Sequence, residues 1–199
     1  MGTVTLRVVA AASPAEPAAT DAALVERMAA GDRGALGALF DRHHQALFGF
    51  LARTSAASDA EVEDLVQTTF LEAFRAAPRF RAAASPRTWL FAIGGNLARM
   101  HRRATRRRLR AMQRLAELPA GAGVALDDRL ADQRALVRIE AALDDLPHDL
   151  RVAYVMCVLE DVPADEAARA LGVPRGTIWR RIHHARQVLR AAAEPGGPP

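Results

Sequence analysis

Lysine is absent from this chain: all 27 of its basic residues are arginine, against 23 acidic residues, for a net charge of +4. There is a single cysteine, Cys157. It excludes an internal disulfide framework, fits a reducing compartment, and reads as a buried, inert thiol inside the apolar run Ala153–Leu159. Aromatic residues make up only 5% of the 199, and Val, Ile, Thr and Tyr are too scattered to favour strands over helices. No apolar run approaches the ~18 residues of a membrane span. The short patch Val8–Ala12 falls below the ~7-residue core of a secretory signal. Neither membrane insertion nor export is expected, and the chain is expected to be cytoplasmic.

The chemistry of an enzyme is also missing. There is no Gly-rich phosphate loop, no cysteine-pair metal site and no serine or cysteine nucleophile motif. His43-His44 and His183-His184 are adjacent on predicted helices, where neighbours diverge by ~100° and do not easily share a metal. No catalytic residue, no metal and no cofactor is expected, and the chain is not expected to be an enzyme.

What is present is helical periodicity, in two sets. Residues 1–20 read as a disordered leader. Thr20 or Asp21 can cap a helix over Ala22–Ala30, which Gly31 stops and Asp32 follows as the next cap. The second helix carries Leu36, Leu39, Phe40, His43, Leu47, Phe50 and Leu51 at the spacing of one buried face. A third opens at Ser58 or Asp59, with Val62, Leu65, Val66, Thr69, Phe70, Ala73 and Phe74 inward, and ends at Pro78. After a loop over Ala77–Ala84, Ser85 caps a fourth helix with Pro86 at its first position. Its apolar stripe is Leu90, Ile93, Leu97 and Met100. Gly94 and Gly95 in mid-helix imply either a weak stretch or very close packing. Residues 21–103 thus form one helical domain.

Eight arginines and no acid lie between Arg99 and Arg114, followed by the flexible Pro119–Gly123. The arginine run is expected to prolong helix four, and with no counter-charge nearby in sequence it suits a nucleic-acid backbone. Residues 104–130 are read as a flexible linker. A second helical domain covers 131–193, broken at Leu146-Pro147, at Asp161–Pro163 and at Leu171–Pro174; residues 194–199 are a disordered tail. The predicted class is all-α: two small helical domains, the second a helix-turn-helix.

That last assignment rests on Pro163–Leu189. Pro163 starts a short helix with Asp165 and Glu166 in its first turn, Gly172 stops it, and Pro174 starts a longer one. Two helices so joined form a helix-turn-helix, whose second helix enters the major groove. On that helix Ile178, Ile182, Ala185 and Leu189 share an inner face. Arg175, Trp179, Arg180, His183, His184 and Gln187 lie on the other, and Arg175–Arg190 contains five arginines and no acid. A basic face with an aromatic in it suits phosphates and base edges.

The run Leu171–Arg190, with Leu146-Pro147 and Arg151 upstream, resembles the second DNA-binding domain of bacterial RNA polymerase sigma factors of the extracytoplasmic-function (ECF) type. The first domain resembles that family independently, through Ala30-Gly31-Asp32, Glu63–Gln67, Thr69-Phe70, Arg87–Leu90 and Asn96. The resemblance implies that the first domain docks on core RNA polymerase through Glu63, Asp64, Gln67 and Phe70. It implies that Arg79, Arg81, Arg87, Asn96, Arg102 and Arg103 meet the promoter −10 element and help open it. It further implies −35 recognition by Arg175, Thr177, Trp179, Arg180, His183, His184 and Arg186, and an anti-sigma protein as a partner that members often have. Departures fall at Gly94-Gly95 (usually Ala-Arg), Met100 (commonly an acid), Asp161 and Ala167 (commonly Gly and Ile) and Trp179 (usually small and basic or polar). The competing readings are a helix-turn-helix regulator that binds duplex DNA without joining polymerase, and a pure protein-interaction module.

Overall fold

The computed structural model describes residues 19–115 and 131–193. Residues 1–18 of the expected leader, the stretch 116–130 of the expected linker and the tail 194–199 lie outside the described residues. Eight α-helices and no strand occur among the described residues: α1 (Asp21–Ala29), α2 (Arg33–Ser55), α3 (Asp59–Ala76), α4 (Pro86–Leu115), α5 (Ala131–Asp145), α6 (His148–Tyr154), α7 (Ala164–Leu171) and α8 (Arg175–Ala193). A 3₁₀ turn, Ala77–Arg79, follows α3, and one π-helical turn, Val155–Leu159, prolongs α6.

The helix starts follow their caps. Thr20 Oγ1 accepts from the Ala23 amide at 3.3 Å, and Asp32 Oδ1 accepts from Gly34 and Ala35 at 2.8 and 3.2 Å. Glu61 reaches back to the Ser58 amide at 2.9 Å, and Ser85 Oγ accepts from the Thr88 amide at 3.2 Å. Each satisfies an amide that the first turn leaves without an intrahelical partner. Helix α4 runs on through Leu115, so the first part of the segment 104–130 is helix.

Helices α1–α4 pack around Leu24, Leu39, Leu47, Phe50, Phe70 and Leu90, all buried. Phe50 and Phe91 stack at 4.6 Å between centroids. Asp21 holds α1 to α2 by accepting from Arg42 at 2.8 Å and meeting His43 Nε2 at 2.6 Å. Of the two glycines in α4, Gly94 serves close approach. A Cβ on Gly94 would meet Leu47 Cδ1 at 3.1 Å and Leu51 Cδ2 at 3.3 Å; one on Gly95 would reach the methyls of Val152 at 3.6 Å.

Val152 belongs to the second helical set, so Gly95 marks where the two sets meet. They share one apolar core: Val152, Val155, Met156, Val162 and Ala167 are buried in the same cluster as Leu51, Phe50 and Phe91. The main cross-contacts are of α4 with α7 and of α2 with the π turn, α5 and α6. Within the second set, α8 lies on α5, α6 and α7, and the completely buried Arg151 braces the α5–α6 corner by donating to Asp144 Oδ1 at 2.9 Å.

Candidate functional site

The helix-turn-helix is α7, the turn at Gly172–Pro174, and α8. Gly172 ends α7 in the left-handed conformation (φ 66°), where glycine carries no steric penalty, and the Val173 amide closes the turn on the Ala168 carbonyl at 3.0 Å. Behind α8, Ile178 and Ile182 pack with Ala153 and Ala168, while Ala185 and Leu189 pack with Leu146. In front, Arg175, Trp179, His183 and Arg186 stand one turn apart on a single stripe, flanked by Arg180 and His184, and all six are exposed. Trp179 keeps 51% of its surface exposed. Thr177, half-buried in the first turn, accepts from Arg180 Nη2 at 3.3 Å, and Arg175 pairs with Asp165 of α7 at 2.7 Å. All seven residues expected to read the −35 element are therefore on or beside one face. Arg181 leaves it and turns to Asp149 of α6 at 3.1 Å.

The residues expected at the −10 element are held differently. Arg79, Arg81, Asn96 and Arg103 are exposed. Phe80 pins the loop after α3 by packing on Trp89 at 4.8 Å between centroids, which leaves Arg79 and Arg81 facing out. Arg87 is engaged by the second helical set. It donates from Nη2 to Glu160 Oε2 at 2.5 Å and from Nη1 to the Glu160 carbonyl at 3.0 Å, and it lies over the Phe91 ring. Arg53 donates to the other oxygen of Glu160 at 3.2 Å. Helix α7 covers the end of the loop: the Ser85 amide donates to Glu166 Oε1 at 2.7 Å, and Arg169 donates to the Ala83 carbonyl. Burial tends to raise the Glu166 pKa, but hydrogen bonds from the Ser85 hydroxyl, Thr88 and the Ser85 amide outweigh it and hold the carboxyl below its ordinary value. Arg102 is half-buried and donates to the Asp144 carbonyl at 3.2 Å.

The expected polymerase-docking residues divide. Glu63, Asp64 and Gln67 are exposed on α3. Glu63 and Gln67 form one wall of a cleft of about 340 Å³ between α3 and α2, which Phe40, His44 and Phe48 line from the other side. Phe70 is a correction: it is 3% exposed and packs against Phe40 at 4.9 Å, so it supports the cleft from beneath and offers no surface to a partner. Phe48 was missed, and its signal was an aromatic lying off the buried stripe of α2. Glu160, Glu166 and Arg169 were missed too, because their partners lie 73 to 107 residues away in sequence.

The remaining candidates for chemistry are quiet. Burial pushes the Cys157 thiol up to about 11, away from thiolate reactivity. Among the described residues no three His, Cys, Asp or Glu side chains converge as a metal site would require, and no helix is long and apolar enough to cross a membrane.

Comparison with known proteins matches residues 39–108 to the Sigma-70 region 2 family and residues 136–189 to the Sigma-70 region 4 family. The chain is 36% identical over 175 residues to the ECF RNA polymerase sigma factor SigC of Mycobacterium tuberculosis, covering 87% of this chain and 91% of the relative. Among solved structures it is similar to CnrH in complex with the cytosolic domain of CnrY (TM-score 0.61, 28% identity, 86% of this chain and 95% of that one). It is also similar to the sigma factor RpoE of Bartonella quintana in complex with the anti-sigma factor NepR (TM-score 0.54, 26% identity, 75% of this chain and 90% of that one).

Proposed function

The chain belongs to the ECF RNA polymerase sigma factors, and on that premise we propose how its surfaces share the work of starting transcription. It binds core RNA polymerase and directs it to promoters through −35 and −10 elements, acting in the cytoplasm, with no cofactor and no catalytic step of its own. The observation that carries this reading is the outer face of α8, where six exposed side chains suited to DNA stand on a fully packed back.

On that face Arg180 is the base reader. Its planar fork can donate twice to a guanine edge, which is worth ~1–3 kcal/mol against the wrong base. Trp179 gives apolar contact to a thymine methyl or a sugar. Arg175 and Arg186 hold phosphates, which position the helix without reading sequence. Arg79, Arg81, Arg87, Asn96, Arg102 and Arg103 hold the opened −10 strand. Glu63, Asp64 and Gln67, on the rim of or beside the Phe40–Phe48 cleft, take the polymerase. The similarity to RpoE, which the anti-sigma factor NepR binds, supports regulation by a protein of that kind.

The test is a pull-down of core polymerase followed by run-off transcription on genomic fragments. Polymerase binding and promoter-dependent product are the expected results. Binding to duplex DNA without any binding to polymerase would instead establish a helix-turn-helix regulator. Substituting Asp64 and Gln67 together by alanine should weaken polymerase binding at unchanged helicity, since both side chains are exposed.

A further inference from the structure

Between the two helical sets lies a groove of about 380 Å³, within the ~300–1,000 Å³ of ligand pockets. Helix α4 lines it with Arg99, Arg102, Arg103 and Arg106, whose spacing keeps them on one side of the helix, and α8 adds Arg181. Asp149 is the one carboxylate in the lining, and it already serves two cations: Arg181 at 3.1 Å and Arg99 at 3.9 Å.

The hydrogen bonds are incomplete at the same corner. Among the described residues three buried side-chain nitrogens lack a partner: Arg102 Nη1, His148 Nδ1 and Arg151 Nε. Arg102 and His148 line the groove, and Arg151 is one turn beyond His148 on α6. Buried nitrogens left without partners are rare in folded proteins, and here they gather beside an arginine cluster. The cations there also repel one another, with Asp144 and Asp145 offsetting part of it. Burial, then repulsion from Arg106, lowers the pKa of Arg102; burial, then Arg102, pushes Arg151 down to about 10. Burial pushes His148 down to about 4, with Arg102 and Arg99 adding to it.

We propose that this groove is a binding site for a small phosphate-bearing anion, which bridges the two helical units when bound. The guanidinium fork matches the spacing of phosphate oxygens and donates two parallel bonds to them. The guanidinium forks of Arg99, Arg102, Arg103, Arg106 and Arg181, all in the lining, supply donors from both units. The His148 ring donates from Nε2 to the Gly95 carbonyl at 2.9 Å and lines the groove, so the charge of a bound anion nearby favours its protonated form. The bound anion also occupies Arg102 and Arg103, two of the side chains proposed for the opened −10 strand. A ligand of this kind would therefore hold the closed form and compete with the promoter.

The full-length protein is titrated with pyrophosphate at constant ionic strength by calorimetry, with sulfate and a short single-stranded oligonucleotide as further arms. One saturable pyrophosphate site is expected, weakened about tenfold or more in Arg102→Gln and in Arg181→Gln, as the loss of a charge-assisted pair implies. Arg75→Gln, on the exposed side of α3, should bind as the wild type does. Should Arg102→Gln lose helicity, the exposed pair Arg103→Gln and Arg106→Gln carries the same test. The His148 ring, followed by NMR, should titrate at higher pH when pyrophosphate is bound, a readout that a merely structural arginine would not move. Absence of saturation, equal loss in Arg75→Gln, or saturation by the oligonucleotide alone would overturn the proposal. None of these results depends on whether the protein joins polymerase.

Discussion

The outer face of α8 and the DNA side of α4 are built from the same residue type, yet the molecule presents them differently. On α8 Arg175, Arg180 and Arg186 are exposed in front of a packed back, with only Arg175 in an ion pair, to Asp165, and Trp179 is exposed among them. On α4 Arg87 is clamped by Glu160 and Arg102 reaches the Asp144 carbonyl, while the loop before α4 is tied to α7 by Glu166 and Arg169. The surface proposed for the −35 element is accessible as it stands. Of the residues proposed for the −10 element, Arg79, Arg81, Asn96 and Arg103 are exposed, while Arg87 and Arg102 are engaged by the second helical set.

The largest effect expected on the α8 side separates its back from its front. Ile182 is 4% exposed and packs with Ala153 and Ala168 behind the helix. Ile182→Ala should lower the free energy of unfolding by about 2–4 kcal/mol in urea titrations, the usual loss for a large-to-small change in a core. Trp179→Ala should stay within about 0.5 kcal/mol, because a half-exposed ring contributes little to the fold, and should weaken −35 binding instead. A large stability loss in Trp179→Ala would mean that the ring is structural and the face less free than it looks.

On the α4 side the clamp is Glu160, 12% exposed and facing two arginines that are 36% and 46% exposed. Glu160→Ala removes the carboxylate from Arg53 and Arg87 and leaves Arg87 only its bond to the carbonyl of residue 160. It should destabilise the contact between the helical sets by about 2–3 kcal/mol, less than a fully buried pair because both arginines reach water. The radius of gyration from small-angle scattering should rise, and affinity for a single-stranded −10 oligonucleotide should rise with it as Arg87 is released. An unchanged radius would show that the shared apolar core, and not this clamp, holds the closed form.

Acid should act on the same boundary more gently. His148 has its pKa lowered from 6.5 to about 4 in the folded protein, chiefly by burial. A lowered histidine value means that the unfolded chain takes up the proton first. The neutral ring's contribution is complete above about pH 6.5 and is lost as pH falls towards 4. Discounted for partial exposure, the loss is about 1–2 kcal/mol across that window. His148→Asn should flatten the stability profile between these limits; an unaltered profile would assign the acid sensitivity to carboxylates such as Glu166.

These contrasts also mark what the sequence made legible. Caps and prolines announced the helix starts, as at Asp32, Ser58 and Ser85, because those signals are local. Periodicity alone divided α8 into the back and front seen in the structure, and it placed Phe70 inside while the family pattern placed it at a docking surface; burial decided for periodicity. The Gly94-Gly95 pair read as weakness or close packing, and only the positions of Leu47 and Leu51 could choose close packing, at Gly94. Closure of the two sets was not legible, since a salt bridge across 107 residues leaves no periodic trace. The π turn at Val155–Leu159 was likewise hidden, because its apolar residues read as ordinary helix.

The smallest effect tests the two ends of α7, the helix that covers the −10 loop. It is entered after Asp161 and left at Gly172, and both residues are left-handed, with φ of 53° and 66°. Glycine adopts this conformation freely; an L-residue with a Cβ is strained there by roughly 1 kcal/mol, and aspartate by less than most. The Asp161 side chain is exposed to solvent. Asp161→Gly should therefore stabilise the fold by about 0.5 kcal/mol, the relief being partly offset by the greater freedom of glycine in the unfolded chain. Gly172→Ala should destabilise it by about 1 kcal/mol, because the same conformation then carries a Cβ. The urea midpoints of the two variants should move in opposite directions at equal slope. The neighbouring Glu160 makes the pair informative about closure. If Asp161→Gly stabilises the fold yet raises the radius of gyration, the strained backbone is what aims Glu160 at Arg87. If the radius stays constant, the carboxylate is held by its two arginines alone, and the turn only leads the chain into α7.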